Sequence, residues 1–180
     1  LCAGALSDTG IFTSGLQETS RQADRAVLEL LSRFGAEVRA ETGGVFVRKA
    51  ALHGIDIDAG AIPDLIPAVA AVAAYAEGET NITNAARLRL KESDRLYTVA
   101  ETIKSLGGQA KELPDGLVIT GTPRLAGGTA DSFGDHRIAM LAAVLASGCR
   151  EPVTVLGAQC TSKSYPEFWQ TLDQLKGDSL

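Results

Sequence analysis

Apolar residues recur every three or four positions in several stretches of the chain, a spacing that places them on one face of a helix. The clearest stretch follows residue 93 and holds Leu96, Val99, Ile103 and Leu106. Gly35 and Gly107 stand where two of these helices should stop, because glycine readily adopts the left-handed conformation that ends many helices. The pattern predicts helices within residues 23–34, 62–78, 93–106, 132–147 and 166–175.

The predicted elements repeat along the chain. Residues 23–49 and 93–121 each carry an amphipathic helix, a glycine stop, a short strand, a turn and a second strand. Glycine and proline mark the turns, with "GG" starting at residue 43 and "PDG" at residue 114. A third copy starts near "SFGDHRIAM" (132–140) and continues through "EPVTVLG" to the last predicted helix.

The middle copy shows the whole repeating unit, because a helix and the strand "TNITNA" (80–85) precede its second helix. The unit is strand, helix, strand, helix, strand, strand, and its length is about 70 residues. We place the units at about 1–50, 51–121 and 122–180, with the first one truncated at its front. A solenoid is one possibility at such a period, but three copies also close around a shared axis. The prediction is an α/β fold of βαβαββ units, with alanine-rich helices buried inside and small sheets outside.

Composition and charge restrict the classes of function. The chain has 180 residues, 17 lysines and arginines against 22 aspartates and glutamates, and a net charge of −5. This balance argues against a nucleic-acid-binding surface, so any anion site should be a local basic pocket. Three cysteines without a CxxC pair favour reduced thiols in a cytoplasm and give no sign of a zinc site. Neither a membrane-spanning run nor a signal peptide is visible, and the start without methionine suggests a fragment of a longer chain.

Charged residues cluster where three of the predicted helices begin, in "IPD" (62–64), "RLRLKESDRL" (87–96) and "GDHRIAM" (134–140). A helix start exposes unpaired N–H groups and a partial positive charge. Lys91, Arg95 and Arg137 would add full charges there, which favours binding of phosphate or carboxylate. Asp64 and Glu92 do not fit a pure anion receptor, because carboxylates beside cations stay ionised and can accept protons.

Each cluster alone has an ordinary structural explanation. Charged residues at a helix start usually form a solvated cap with weak ion pairs. His136 alone would be a surface or capping histidine, and Lys163 in "CTSKSYPEF" (160–168) would be a loop lysine. Asp24 and Arg25 occupy in the first copy the place of Asp94 and Arg95 in the second, so the Asp-Arg pair can be partly architectural.

Together, "IPD", "RLKESDRL", "GDHRIAM" and "CTSKSYPEF", in this order and spacing, resemble the C-terminal half of the 3-phosphoshikimate 1-carboxyvinyltransferase (EPSP synthase) family. The resemblance covers essentially the whole chain. It implies an enolpyruvyl transferase-like inside-out α/β barrel domain, in which residues 1–180 are most of the C-terminal domain of a two-domain enzyme. It also implies transfer of the enolpyruvyl group of phosphoenolpyruvate to the 5-hydroxyl of shikimate 3-phosphate, in the shikimate pathway toward chorismate and aromatic amino acids.

The resemblance assigns the proton-handling roles to three residues. Asp64 would hold hydroxyls of shikimate 3-phosphate and accept a proton. Lys91 would contact the attacked hydroxyl and bridge both substrates, and Glu92 would handle the proton at the methylene carbon. No metal or organic cofactor is implied.

The resemblance also assigns the anion-binding roles. Arg95, Arg137 and Lys163 would bind phosphoenolpyruvate, with His136 near its phosphate as a further catalytic residue. Arg87 stands where some relatives have an asparagine that touches shikimate 3-phosphate, so this contact stays open. The remaining substrate contacts would come from an N-terminal domain that this chain lacks. We therefore expect a monomeric cytoplasmic enzyme inhibited by glyphosate when whole, and no turnover by this chain alone.

Three other functions remain as alternatives. A sister class of enzymes transfers the same enolpyruvyl group to a UDP-sugar on a shared fold. A non-catalytic phosphate-binding or scaffold module could use the same repeat. RNA-end chemistry on a related repeat fold is disfavoured by the negative net charge and by the lack of a basic aromatic stripe.

Overall fold

A computed structural model describes residues 1–16 and 20–177 of the chain. Short strands and helices alternate along it, with five short 3₁₀ segments in the described residues. The strands are β1 Ile11–Ser14, β2 Glu37–Glu41, β3 Gly44–Arg48, β4 Asp56–Asp58, β5 Glu79–Thr83, β6 Gln109–Leu113, β7 Gly116–Thr120, β8 Gly128–Asp131 and β9 Val153–Leu156. The helices are α1 Val27–Arg33, α2 Ile66–Ala73, α3 Arg95–Ser105, α4 His136–Ala146 and α5 Phe168–Gly177.

The middle part of the chain contains the complete predicted unit. Its elements follow the order β4, α2, β5, α3, β6, β7, and its four strands form one sheet in the spatial order β4-β5-β7-β6. β4 and β5 are parallel, with Ile57 opposite Ile82, whereas β5–β7 and β6–β7 are antiparallel. A parallel pair needs a crossover, and α2 provides it.

Two smaller sheets reproduce parts of the middle one. β1, β3 and β2 form a sheet in that order, matching β5, β7 and β6 in direction and pairing. β8 and β9 are parallel, as β4 and β5 are, with α4 as their crossover. The first unit therefore corresponds to the last four elements of the middle unit, and the described part of the third unit to its first four elements.

Alanine-rich helices occupy the interior, as predicted. α2 packs directly against α4, and α3 packs against both. Apart from Ala68, every residue of α2 is buried. Small side chains such as Ala70, Ala71 and Ala142 let the two helix backbones approach closely and still fill the space at the density of a protein interior. The expectation of buried central helices is confirmed.

The helix stops and turns predicted from the sequence are largely confirmed. Gly35 and Gly107 follow α1 and α3 with φ of +95° and +86°, the left-handed conformation expected after a helix. The hairpins β2–β3 and β6–β7 turn at the predicted residues. Helix starts differ from the prediction: residues 23–26 and 63–65 form 3₁₀ turns before α1 and α2 begin. Within the described residues, every helix is too short or too polar to cross a membrane.

Candidate functional site

Asp64 lies at the centre of the charged residues that the sequence singles out. It occupies the 3₁₀ turn before α2, and its Oδ1 accepts hydrogen bonds from Lys91 Nζ at 3.0 Å and Arg95 NH1 at 2.9 Å. Arg137 reaches the same residue from α4, donating from NH1 to the Asp64 carbonyl oxygen at 2.9 Å. Its NH2 lies 4.0 Å from Asp64 Oδ2. Three segments separate in sequence therefore meet at one carboxylate.

Arg95 lies beneath this cluster with only 1% of its side chain exposed. Its Nε donates to Asp135 Oδ2 at 2.8 Å, and its NH2 donates to Asp135 Oδ1 at 3.3 Å and to Glu92 Oε2 at 2.6 Å. Together with the bond to Asp64, its guanidinium contacts three carboxylates. A buried arginine needs such pairing because an unpaired charge in the interior is very costly.

Two aspartates start the helices that carry these side chains. Asp94 caps α3, accepting from the backbone N–H groups of Leu96 and Tyr97, and Asp135 caps α4, accepting from the N–H of Arg137. Such caps satisfy donors that have no partner inside the helix. They also set the direction of the chain before each helix, so Lys91 and Glu92 lie in the loop before the α3 cap rather than in its first turn.

His136 occupies the first position of α4, beside the cluster. Its side chain is 13% exposed, and its Nδ1 is buried without a hydrogen-bond partner in the described residues. The nearest acid is Asp135, whose Oδ1 lies 3.9 Å away, too far for a hydrogen bond. The prediction that His136 lies near the helix start is thus confirmed in position, and its role stays a prediction.

The cations keep the central carboxylates ionised. Partial burial acts to raise the pKa of Asp64, but the hydrogen bond from Lys91 and the charges of Arg137 and Arg95 outweigh it, so this pKa lies below its ordinary value. Burial likewise acts to raise the pKa of Asp135, and the bonds from Arg95 and from the backbone of Arg137 reverse the effect and lower it. Burial acts to lower the pKa of Arg95, yet its pairing with Asp135 raises it.

The predicted residue Lys163 and Arg87, whose contact the sequence leaves open, have no bond to the cluster within the described residues. Lys163 ends the 3₁₀ helix Ala158–Lys163, which packs against α4, and its side chain is exposed. In the described residues, no hydrogen bond or ion pair joins it to Asp64 or its partners. Arg87 is exposed in the 3₁₀ helix Ala86–Leu90 and is likewise not bonded to the cluster within the described chain.

Sequence reasoning gave no role to two residues that complete the cluster. The sequence indicates Asp135 only as part of a charged helix start, and Ser93 only as part of "KESDR". In the structure Ser93 Oγ donates to Asp135 Oδ2 at 3.0 Å. An aspartate directly before a predicted helix does signal a cap. A partner 42 positions away has no such local signal.

A metal is not an evident part of this arrangement. Among residues 1–16 and 20–177, no three histidine, cysteine, aspartate or glutamate side chains lie close enough to hold a metal ion together. The cluster offers ammonium and guanidinium donors for anions, and carboxylates for protons. These are the groups needed to bind an anionic substrate and move protons on it.

Comparison with known proteins identifies the family. The family model described as EPSP synthase (3-phosphoshikimate 1-carboxyvinyltransferase) matches residues 1–172. The chain belongs to the EPSP synthase family. A 3-phosphoshikimate 1-carboxyvinyltransferase of Clostridium acetobutylicum is 46% identical over 178 residues, covering 99% of this chain and 41% of that protein. One of Methanocella arvoryzae is 44% identical over 177 residues, covering 97% of this chain and 42% of the relative.

Solved structures agree with the family assignment. An EPSP synthase of Acinetobacter baumannii has a TM-score of 0.79 and 28% identity, with 96% of this chain and 43% of that one covered. The enolpyruvyl transferase NikO of Streptomyces tendae has a TM-score of 0.78 over 97% of this chain and 41% of its own, and its 24% identity shows the fold alone. The predicted fold class is confirmed. The chain spans about 41% of the length of the EPSP synthase family member from Clostridium acetobutylicum.

Proposed function

We propose that this chain is part of an enzyme that transfers the enolpyruvyl group of phosphoenolpyruvate to the 5-hydroxyl of shikimate 3-phosphate, releasing phosphate. This reaction belongs to the shikimate pathway toward chorismate and aromatic amino acids. The observation that carries the proposal is the convergence of Lys91, Arg95 and Arg137 on Asp64, beside Glu92. The curated relatives bear the name of this activity over nearly the whole of this chain.

The proposed chemistry needs three proton movements, and the carboxylates can supply them. The 5-hydroxyl attacks the middle carbon of phosphoenolpyruvate and loses its proton, while the methylene carbon gains one. The tetrahedral intermediate then loses a proton from the resulting methyl group, and phosphate leaves. Asp64 would accept the hydroxyl proton, because the adjacent cations keep it ionised at neutral pH. Glu92 is 46% exposed and so is open to a bound substrate, which suits the proposed role at the methylene position.

The cations would hold the two anionic substrates. Lys91 and Arg137 retain 26% and 33% side-chain exposure, so each can meet a phosphate or carboxylate while still beside Asp64. Lys91 would bridge the hydroxyl and phosphoenolpyruvate. Arg95 is buried under Asp64 and Glu92, so phosphoenolpyruvate can reach its terminal nitrogens only if one of these carboxylates moves aside. His136 would lie near the transferred phosphate.

We further propose that residues 1–180 are most of the second domain of a two-domain enzyme. The middle unit begins with β4 and α2, and the first unit has no counterpart of either in its described residues. A groove of about 1310 Å³ lies beside the first unit. Its apolar walls include Ile11, Leu28, Leu65, Ala68, Val144 and Phe168. A further strand and helix at the front of the first unit would fill such a groove. The unit limits near residues 50 and 121 fit this account.

The isolated chain should bind weakly and not turn over. Lys163 is exposed and is not bonded to the cluster in the described residues, and the substrates would meet the rest of the enzyme on the open side of the cluster. Closure of a second domain would exclude water and complete the set of cations. We expect the whole enzyme to be a cytoplasmic monomer without metal or organic cofactor and to be inhibited by glyphosate.

The test uses a hybrid enzyme, in which this chain replaces the matching 41% of the Clostridium acetobutylicum relative. The hybrid enzyme should release phosphate from the two substrates together, whereas the 180-residue chain alone should not. Asp64→Asn and Glu92→Gln should each lower kcat at least about 100-fold with small changes in KM, because each removes a proton-transfer group. Glu101→Gln is the matched control: it changes a partly exposed carboxylate on α3 whose one ion-pair partner in the described residues is Lys104.

Two results would contradict the proposal. Turnover with a UDP-sugar in place of shikimate 3-phosphate would assign the chain to the sister activity. The second result is a folded hybrid enzyme that binds the substrates but shows no turnover, and whose substrate binding is unchanged in Asp64→Asn and Glu92→Gln. This result would favour a non-catalytic phosphate-binding module.

A further inference from the structure

A chain of buried and partly buried hydrogen bonds connects the starts of α3 and α4. Thr98 Oγ1 lies 3.1 Å from Ser93 Oγ, and Ser93 Oγ donates to Asp135 Oδ2 at 3.0 Å. Arg95 Nε donates to the same oxygen at 2.8 Å. Asp135 is fully buried and Thr98 nearly so. These bonds lie directly below the cluster around Asp64.

A capping role does not explain the charge of Asp135. Its Oδ1 accepts from the backbone N–H of Arg137, which is all that a cap requires, and a neutral asparagine caps a helix about as well. Burying a carboxylate costs several kcal/mol even when it is paired. The negative charge therefore points to Arg95, which contacts Asp135 through two of its nitrogens.

Asp135 determines how the guanidinium of Arg95 is oriented. The N–H groups of an arginine form a rigid planar fork, so two bonds to one carboxylate fix the plane. With Nε and one side of NH2 held by Asp135, NH1 faces Asp64 at 2.9 Å and NH2 faces Glu92 at 2.6 Å. The two carboxylates assigned to proton transfer are thus held through Arg95 by a residue that touches neither of them.

We propose that Asp135 is a positioning residue of this site and that Ser93 supports it. Asp135 fixes the guanidinium plane of Arg95, so that NH1 and NH2 face the site and hold Asp64 and Glu92 until a substrate anion takes the place of one of them. The hydroxyl of Ser93 holds the Asp135 carboxylate in place. The kinetic consequence of this inference rests on the proposed function. Its structural consequence rests on the described contacts alone.

The kinetic experiment compares two caps in the hybrid enzyme. Asp135→Asn retains a capping oxygen for α4 and removes the charge that holds Arg95. Asp94→Asn is the matched control, since it retains the cap of α3 and loses only the pair with Arg89. Misplaced catalytic groups lose rate without losing binding. We expect Asp135→Asn to lower kcat about 10- to 100-fold, with each KM within about threefold, and Asp94→Asn to stay within about twofold.

Ser93→Ala keeps the test decisive if Asp135→Asn does not fold. It removes one hydrogen bond to Asp135 and no charge. We expect kcat to fall about three- to tenfold, with an unchanged KM, because the anchor of Arg95 is loosened rather than lost. A folded Ser93→Ala or Asp135→Asn variant with kcat within twofold of its parent would overturn the proposal. So would an equal loss in Asp94→Asn, because the effect would then belong to helix capping in general.

A spectroscopic arm separates this inference from the proposed reaction. If the hybrid enzyme shows no turnover, the proposed function fails. The positioning role can then still be tested on the 180-residue chain, by NMR measurement of the ¹³C chemical shifts of the Asp64 and Glu92 carboxyl groups. Both signals should shift in Ser93→Ala and in Asp135→Asn, and neither should shift in Asp94→Asn. Unmoved signals in the folded Ser93 variant would show that Asp135 does not act on the two carboxylates.

Discussion

The same dipeptide, Asp-Arg, stands at the helix start of two repeated units and has a different environment in each. In the middle unit, Asp94 caps α3 with its side chain and Arg95 is buried among carboxylates. In the first unit, Asp24 and Arg25 lie in a 3₁₀ turn, both are exposed, and the turn has no side-chain cap. The repeat thus preserves the position of the pair without preserving its role.

Partners from elsewhere in the chain account for the difference. Asp64 comes from the turn before α2, 31 positions from Arg95, and Asp135 from the start of α4, 40 positions away. The described part of the first unit has no counterpart of the turn before α2. Arg25 therefore stays in water, where an arginine needs no partner, whereas Arg95 can be buried because carboxylates meet it.

Replacing the two arginines should give the largest contrast. Arg95→Met leaves Asp135 buried without its cation, and removing one partner of a buried pair costs about 3–5 kcal/mol. Arg25→Met removes an exposed charge and should change the free energy of unfolding by less than about 0.5 kcal/mol. Urea unfolding of the 180-residue chain, followed by circular dichroism, measures both. Equal losses in the two variants would show that the burial of Arg95 has no energetic consequence.

The second contrast depends on pH. The Asp135 carboxyl has a pKa below its ordinary value, so its pairing stabilises the fold above about pH 4 and the contribution is lost as pH falls through the folded-state pKa. Asp135→Asn should therefore cost about 3 kcal/mol at pH 7 and progressively less below about pH 4. Unfolding in urea at pH 7, 5 and 3 gives the difference at each pH.

Asp24→Asn is the matched control for this series. Its carboxylate is exposed in the 3₁₀ turn, so the substitution should cost less than about 0.5 kcal/mol at every pH. A cost for Asp135→Asn that stays constant down to pH 3 would mean that charge pairing with Arg95 is not its cause.

Local patterns were sufficient to predict most of the fold. The period of Leu96, Val99 and Ile103 predicts α3 because only one face of that helix is buried, and all three residues are fully buried. The turns at Gly43 and Pro114 carry their own signal in residue type. The 3₁₀ starts of α1 and α2 were not predicted, since the 3₁₀ and α conformations favour similar residues over a single turn.

The site was harder to predict than the fold. Lys91, Glu92 and Arg95 are close in sequence, and their proximity in space follows almost directly. The depth of Arg95 does not, because it depends on Asp135 across 40 positions of sequence. Lys163 shows the opposite case: a resemblance in sequence assigns it to the site, while its side chain is exposed and not bonded to the cluster in the described residues.

The first and middle units share a glycine stop after their helices, α1 and α3. Gly35 and Gly107 both have positive φ, so an alanine at either position is strained by about 1–2 kcal/mol. A Cβ at Gly35 would also lie 2.5 Å from the carbonyl oxygen of Ala51, and one at Gly107 would lie 2.9 Å from Ala126 Cβ. Gly78→Ala supplies the control, because its φ is +90° and the space around it is open.

We expect Gly35→Ala and Gly107→Ala each to lower the free energy of unfolding by more than Gly78→Ala does, since each adds a steric clash to the same backbone strain. Urea unfolding of the three variants measures the order. If Gly78→Ala were the most destabilising of the three, close packing after the helices would not distinguish these stops from an open turn.

The smallest contrast concerns the two aspartates. Asp94→Ala should destabilise the chain by about 1 kcal/mol, because two backbone N–H groups at the start of α3 lose their acceptor, whereas Asp24→Ala should cost less than about 0.5 kcal/mol. Asp94 also pairs with Arg89 at 2.8 Å, so Asp94→Asn, which keeps the cap and removes the pair, separates the two contributions. The pair is partly exposed and should contribute less than the cap. An Asp24→Ala variant as unstable as Asp94→Ala would mean that the two units use the dipeptide alike, and the contrast between them would then rest on Arg95 alone.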